Sequence, residues 1–321
     1  MGTKTAKTAF VGSPLNYTGG KFRLLPQLVP LFPTDIRNFH DVFCGGANVL
    51  ANVEAKGYTG RDIQPDLVRL LAWLSRTPGK AVLAQADALV EQYGLSRTDL
   101  HGYAHYGADS STGLADVNRA AYGRLRAGYA PLRAATEQEG AGLAEDNAAA
   151  AHFLVLLAYA FNNQIRFGKN GYNIPVGKRD LNGKQRQKIL AFAQALEQRN
   201  VRFACESYDA LDLGSLNSQD LVYADPPYLI STASYNEGGG WDEVAETKLL
   251  GWLDEVHATG ARFALSNVLT HKGRTNTLLD AWCKARGWRV ESVSASYANA
   301  SYHGKHKDGG AGTQEVLILN H

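Results

Sequence analysis

The chain has 321 residues, 45% of them hydrophobic and 20% charged, which predicts a soluble globular protein with a sizeable core, either one large domain or a domain with a substantial insertion. A net charge of +2 is too balanced to announce a nucleic-acid partner by itself, so any such partner must show in local clustering. Three scattered cysteines exclude a disulfide framework and favour a reducing compartment, and the absence of a long apolar run or a signal-peptide core predicts a cytoplasmic protein.

After a polar leader, Asn16 to Lys21 reads as a glycine-centred turn running into an apolar-periodic helix over 24–31, ended by Pro30 and Pro33. Asn38 to Cys44 reads as a buried strand, Gly45-Gly46 as a tight turn, and 47–55 as a helix closed by Gly57. A second strand ends at Arg61-Asp62, and a helix follows over 65–74. From Gly79 to about Ala160 the pattern is helical and alanine-rich, with breaks at Gly94 and Gly107 and a polar loop over 110–113. A loop of asparagines, glycines, aromatics and cations occupies 162–182. An amphipathic helix over 184–198 then precedes strands at 201–205 and 220–224. Helices over 243–257 and 275–286 alternate with strands at 262–266, 288–293 and 315–319. This alternation implies a mostly parallel, doubly wound sheet.

The Ala224-Asp225-Pro226-Pro227-Tyr228 stretch follows the apolar run 221–223. Asp225 and the Pro226 carbonyl can both accept from an exocyclic amine, the prolines donate no N–H, and Tyr228 can stack on the ring that carries the amine. Asp-Pro-Pro is equally a common way to turn a chain after a strand. Upstream, Phe43-Cys44-Gly45-Gly46-Ala47-Asn48 lacks the full GxGxxG spacing and offers no room for a pyrophosphate. Asp41 and Asp62 end their strands about 20 residues apart, as in a βαβ unit that presents an acid to ribose hydroxyls. A phosphate-free nucleoside such as S-adenosylmethionine suits these features, with Asp62 on the ribose and Tyr17 or Phe43 near the cation. Two glycines and two acids at strand ends also occur in α/β proteins of other functions. Lys21 after Gly19-Gly20 lacks the spacing of an ATP phosphate loop. It can instead pair with an amino-acid carboxylate or simply start a helix at the surface.

Seven cations between Phe161 and Lys188, among them Arg166, Lys178 and Arg179, face the single acid Asp180. With Phe161, Phe167, Tyr172 and the amides Asn162, Asn163, Gln164 and Asn173, they are the residue types that read duplex DNA and fill the gap left by an extruded base. Other chemistries find little support. Asp225 with Glu246-Thr247-Lys248 imitates a nuclease site, but the triplet falls inside a helix, and nothing else points to a metal. His303 and His306 lack companions at ligand spacing and suit a solvated or phosphate-contacting loop with Lys305. No cysteine follows a proline, as a cytosine C5-methylase nucleophile does.

Taken in order, NYTGGK (16–21), FHDVFCGGANVLANV (39–53), RDIQPD (61–66), NNQIRF (162–167), NIPVGKRDLN (173–182), LVYADPPYLISTASYN (221–236), FALSNVL (263–269), NTLLDAW (276–282), SYHGKHKDG (301–309) and TQEVLILN (313–320) resemble the Dam-type DNA adenine N6-methyltransferases, most of all the Dam enzyme of T-even phages. The resemblance implies a seven-stranded, Rossmann-like methyltransferase sheet formed by 1–76 and 184–321, with a helical target-recognition insertion over 77–183 and a DNA-reading loop over 161–182. It implies S-adenosylmethionine as cofactor, duplex DNA with the palindrome GATC as target, no metal, and a monomer or weak dimer on DNA, in a bacterial or phage-infected cell and with a possible restriction partner.

The cofactor residues it implies are Tyr17, Gly19, Gly20, Lys21, Asp41, Phe43, Cys44, Gly45, Gly46, Ala47, Asn48, Asp62, Ile63, Tyr208 on the adenine, and Asp225. Asp225, Pro226, Pro227 and Tyr228 are implied as catalytic. Arg166 and Arg179 resemble the guanine-reading arginines, Phe161, Asn162 and Pro175 the other target contacts, and Gln164 the intercalating side chain, with Lys178, His303 and Lys305 on the DNA. The sequence departs from the family at Gln164, often apolar or aromatic there, at Ala47, often glycine, and in its longer alanine-rich stretch over 108–149. Alternatives within the fold are a silent DNA-binding protein, another adenine site, a cytosine N4-methylase, whose motif more often starts with serine, and a protein-glutamine methylase, whose motif commonly starts with asparagine.

Overall fold

The computed structural model describes residues 10–138, 147–168, 171–230, 240–293 and 312–321, with only the backbone given for 135–138. A 3-10 turn over Lys21–Leu24, the one-turn α1 (Leu25–Leu28) and another 3-10 turn over Val29–Leu31 stand where one helix was expected, because Pro26 and Pro30 break the ladder. Strands β1 (Asn38–Asp41) and β2 (Gly57–Asp62) follow. Then come helices α2 (Pro65–Arg76), α3 (Gly79–Tyr93), α4 (Thr98–His101), α5 (Ala115–Gln138) and α6 (Asn147–Tyr159). Within the expected loop lies a hairpin of β3 (Phe167–Gly168) and β4 (Gly171–Tyr172), after which come α7 (Gly183–Arg199), β5 (Arg202–Cys205) and β6 (Leu221–Ala224). The chain closes with α8 (Glu243–Ala258), β7 (Arg262–His271), β8 (Arg274–Thr275), α9 (Thr277–Arg286), β9 (Arg289–Val293) and β10 (Gln314–Leu319). Helix starts follow side-chain acceptors: Gln64, Asn182, Asp242 and Asn276 each accept a first-turn N–H. Left-handed Gly94 and Gly287 end α3 and α9.

The expected helix over 47–55 is instead a series of turns. Ala47 sits at φ +54, and two asparagines are engaged elsewhere. Asn48 Oδ1 accepts from Ser13 N at 3.0 Å, and Asn52 exchanges two 2.8 Å bonds with the backbone of Val11. Side chains that tie down a neighbouring segment replace the helical ladder here.

The chain divides into two compact units. The first comprises Met1–Phe22, Gly45–Asn52 and Asp62–Cys205. Its centre is α6, buried from Phe153 to Tyr159 and packed on α2, α3 and α5. The buried Asp66 carboxylate holds α5 to α2, accepting from the Tyr129 hydroxyl, from Arg133 at 3.0 Å and from Arg69 at 3.3 Å.

The second unit comprises Arg23–Cys44, Val53–Arg61 and Glu206–His321. Its strands stand in the order β2-β1-β6-β7-β10-β9, with β2, β1, β6 and β7 parallel and the last two antiparallel, and β8 turns back on β7. One sheet face packs Val222, Ala224, Phe263, Leu265, Val316 and Ile318 against α8 and α9. On β1 and β6, Phe39 and Tyr223 stack at 6.3 Å.

Asp220, fully buried just before β6, accepts from both nitrogens of Asn38 (3.2 and 2.8 Å) and both of Asn217 (3.0 and 2.8 Å), tying β6 to β1. Asp220→Ala should therefore cost about 2–4 kcal/mol, because buried donors lose their acceptor. Denaturant titration of the full chain checks this, and an unchanged midpoint contradicts it.

Candidate active site

Within the second unit, β1 and β6 are neighbouring parallel strands whose continuations run to opposite sides of the sheet: β1 leads to β2 and β6 leads to β7. Ligands of open α/β sheets bind outside the carboxyl ends at such a reversal. Val42 N donates to Tyr223 O at 3.0 Å, so Asp41, at the end of β1, and Asp225, just past β6, leave the sheet at the same end. Asp225 is partly buried, Pro226 is buried, and Pro227 and Tyr228 are partly buried. The Tyr228 hydroxyl donates to Asp225 Oδ1 at 2.9 Å and lies 3.2 Å from Glu315 Oε1 on β10. Burial first, then the charges of Asp225 and Glu315, push the Tyr228 phenol well above its ordinary range, so the hydroxyl keeps its proton.

Phe43 follows β1 and stacks on the buried Tyr208 ring with centroids 5.2 Å apart and planes 26° apart. Trp241 meets Phe43 edge-on at 5.9 Å, and Trp252 meets Tyr208 at 5.1 Å. Phe43 and Tyr208 thus form one continuous aromatic wall rather than two sides of a slot. Behind it, Glu246 is fully buried and accepts from Trp241 Nε1 (2.8 Å), Asn267 Nδ2 (3.0 Å) and Asn276 Nδ2 (2.9 Å). Of the Glu-x-Lys triplet in the nuclease alternative, Glu246 is therefore internal bracing on α8, while Lys248 is exposed and pairs with Asp209 at 2.6 Å.

In the first unit, the Tyr17 ring lies over the glycine turn. A Cβ on Gly45, which sits at φ +46, would stand 2.9 Å from Tyr17 Cδ1, and one on Gly46 would stand 3.3 Å from its Cβ. The turn thus requires glycine for close approach as well as for its left-handed backbone. Asp62 Oδ2 accepts from Gly45 N and Oδ1 from Gln64 N, both at 3.0 Å. Desolvation outweighs these bonds and raises the Asp62 carboxyl above its ordinary range. Lys21 is buried, and its ammonium donates to Gly19 O at 2.7 Å. Asn48 is buried, and Ile63 beside Asp62 is 75% exposed.

The residues expected on DNA line a two-stranded stretch of the same unit. Phe161 N donates to Pro175 O at 2.8 Å, Ala160 bridges Val176, Arg166 Nε donates to Asn173 Oδ1 at 2.9 Å, and Phe167 pairs with Tyr172. Phe161, Asn162, Gln164, Arg166, Asn173, Pro175, Lys178 and Arg179 are all exposed. Asn162 and Asn163 both adopt φ +53, a double left-handed step that turns the chain out after α6. Asn163 Nδ2 closes α6 by donating to Leu157 O at 2.8 Å. The Lys178 ammonium is held by Ser111 O at 3.0 Å. Buried Asp180 accepts from Thr98 N and Oγ1, both at 2.7 Å, and so fixes the backbone next to Arg179. His303 and Lys305 lie outside the described residues.

A family model for the D12 class N6 adenine-specific DNA methyltransferases matches residues 17–297. The chain belongs to this family. It is 36% identical, over 99% of its length, to "Type II methyltransferase M.FokI" of Planomicrobium okeanokoites, and 34% identical, over 97%, to "Modification methylase StsI" of Streptococcus sanguinis. It spans 44% and 43% of those proteins, less than half of each. A "DNA adenine methylase" of Haemophilus influenzae is 24% identical over 67% of this chain. Membership confirms the mostly parallel α/β methyltransferase class and implies S-adenosylmethionine as methyl donor. The relatives support the D12 class as a whole and do not bear out the expected special likeness to the T-even phage enzyme.

Trp241 and Glu315 escaped the sequence reading, and Glu246 entered it only as part of a nuclease-like triplet. Glu246 lay in plain view inside a helix, but only the fold shows three donors converging on it. Glu246→Ala should lower stability by about 3–5 kcal/mol and loosen Trp241 from Phe43. Thermal unfolding and the near-ultraviolet circular dichroism of the tryptophans check this, and native values for both contradict it.

Proposed function

We propose that this methyltransferase transfers a methyl group to N6 of an adenine extruded from duplex DNA. The observation that carries the reading is Asp225-Pro226-Pro227-Tyr228 at the carboxyl end of β6, beside β1, where the sheet order reverses. Asp225 and the Pro226 carbonyl accept hydrogen bonds from the two N6–H groups, and the one N6 proton that methylation displaces leaves past Asp225 to solvent. The nitrogen lone pair, otherwise delocalised into the ring, is thereby turned toward the methyl group, and the gain comes from orientation and charge placement. Tyr228 offers its ring to the flipped base, whose unstacking costs a few kcal/mol.

The residues present fit S-adenosylmethionine. Gly45 N–H, which a phosphate site would turn toward its ligand, is occupied by Asp62, so the turn presents a carboxylate with spare lone pairs for ribose hydroxyls. Lys21 offers a buried ammonium to a carboxylate, and the Phe43–Tyr208 wall offers apolar surface to an adenine. Tyr17, Gly19, Gly20, Asp41, Cys44, Gly46, Ala47, Asn48 and Ile63 complete the proposed cofactor surroundings. When bound, S-adenosylmethionine supplies the activated methyl group.

We place target reading in 77–183. Arg166 and Arg179 read guanines, and Phe161, Asn162, Gln164, Pro175 and Lys178 contact the target. The likeness of several motifs to Dam-type enzymes makes GATC the first sequence to test. The modification-methylase relatives support a place in a restriction-modification system and make other adenine sites the next to test.

Asp225→Ala should reduce methyl transfer about a thousandfold or more while leaving duplex binding intact. Labelled methyl transfer and a binding titration decide, and turnover near wild type rejects the assignment. Arg166→Ala and Arg179→Ala should each reduce discrimination at one guanine by about 1–3 kcal/mol. Base-resolved mapping of modified adenines, with single-base variants of the mapped site, measures this. Equal losses on all sequences would make the arginines phosphate contacts instead.

A further inference from the structure

Glu315 lies opposite the catalytic motif, although it stands about 90 residues downstream in sequence, at the start of β10. The β10–β7 ladder slips there: Gln314 is opposite Thr270 whereas Glu315 is opposite Val268, so Leu269 is passed over. Such a bulge re-aims the side chain at the irregularity. Val316 and Ile318 join the core under α8 and α9, so Glu315, Leu317 and Leu319 take the other side of the strand. Glu315 is 8% exposed, and its Oε1 comes within 3.2 Å of the Tyr228 hydroxyl, which also donates to Asp225 Oδ1 at 2.9 Å.

A phenol carries one proton and cannot serve two carboxylates at once. While Tyr228 donates to Asp225 Oδ1, that oxygen is engaged by the phenol. We infer that Glu315 is a positioning residue that takes over the Tyr228 hydroxyl when adenine N6 reaches Asp225, freeing the aspartate and holding the tyrosine ring in place. This hand-over rests on the reading of Asp225 as the acceptor for the amine. It requires no proton transfer, because the phenol proton stays on oxygen and only its acceptor changes.

The test is a double-mutant cycle in the full chain, with steady-state methylation of a duplex containing the mapped adenine site. Tyr228→Phe keeps the ring and removes the hydroxyl. Glu315→Gln keeps the shape and weakens the acceptor by removing its charge. Glu315→Gln should lower kcat about tenfold, with KM for S-adenosylmethionine unchanged. In the Tyr228→Phe background the same change should alter kcat less than about twofold, because there is no hydroxyl left to hand over. Glu315→Asp, which retains the charge at shorter reach, repeats the cycle should the glutamine variant fold poorly. Equal losses in both backgrounds, or no loss with Tyr228 present, overturn the hand-over. An Asp225→Ala enzyme that still methylates overturns the underlying assignment together with it. An inactive Asp225→Ala enzyme combined with an additive cycle rejects the role of Glu315 alone.

Discussion

The parallel register of β1 and β6 is the constraint on which the proposed catalytic half of the site depends. A bond from Val42 N to Tyr223 O and the buried Asp220 brace fix two short strands so that both end at the same level. The side chains just beyond that level then inherit their positions from backbone hydrogen bonds rather than from flexible loops. Tyr223, fully buried and bonded to Ser266 at 2.8 Å, carries the same order across to β7. Asp225 is thus aimed by the least deformable part of the unit.

Much of this organisation was legible from residue types and spacing. The strands around β1, β2, β5 and β6 and the helices α2, α7, α8 and α9 follow from periodicity and side-chain caps, and the family follows from ordered motifs. The turns over 47–55 were hidden because alanine, valine and leucine there mimic a helix, while Asn48 and Asn52 bind segments far away in sequence. The β3–β4 hairpin was hidden because two-residue strands leave no alternation to read. Glu315 was hidden most completely: its neighbour is set by a one-residue slip between antiparallel strands, which no local pattern encodes.

The stretch proposed to read bases follows a different principle. Its exposed residues stand on a short ladder whose ends are fastened by buried polar groups. Asn163 closes α6 at one end, and Asp180 is held by Thr98 and Ser96 at the other. The side chains proposed to meet DNA stand in solvent while the backbone beneath them is fixed, an arrangement that would lower the ordering cost of binding.

The Asp62 carboxylate seated on Gly45 N has a consequence for competition inside a cell. ATP shares its adenosine half with S-adenosylmethionine and differs in the polyphosphate tail. In a phosphate-binding turn the glycine amide attracts that tail. Here the amide is already neutralised by an acid, and an incoming anion faces a like charge. In the proposed cofactor site, this one intramolecular hydrogen bond disfavours a polyphosphate at the glycine amide while leaving a carboxylate to face a ribose.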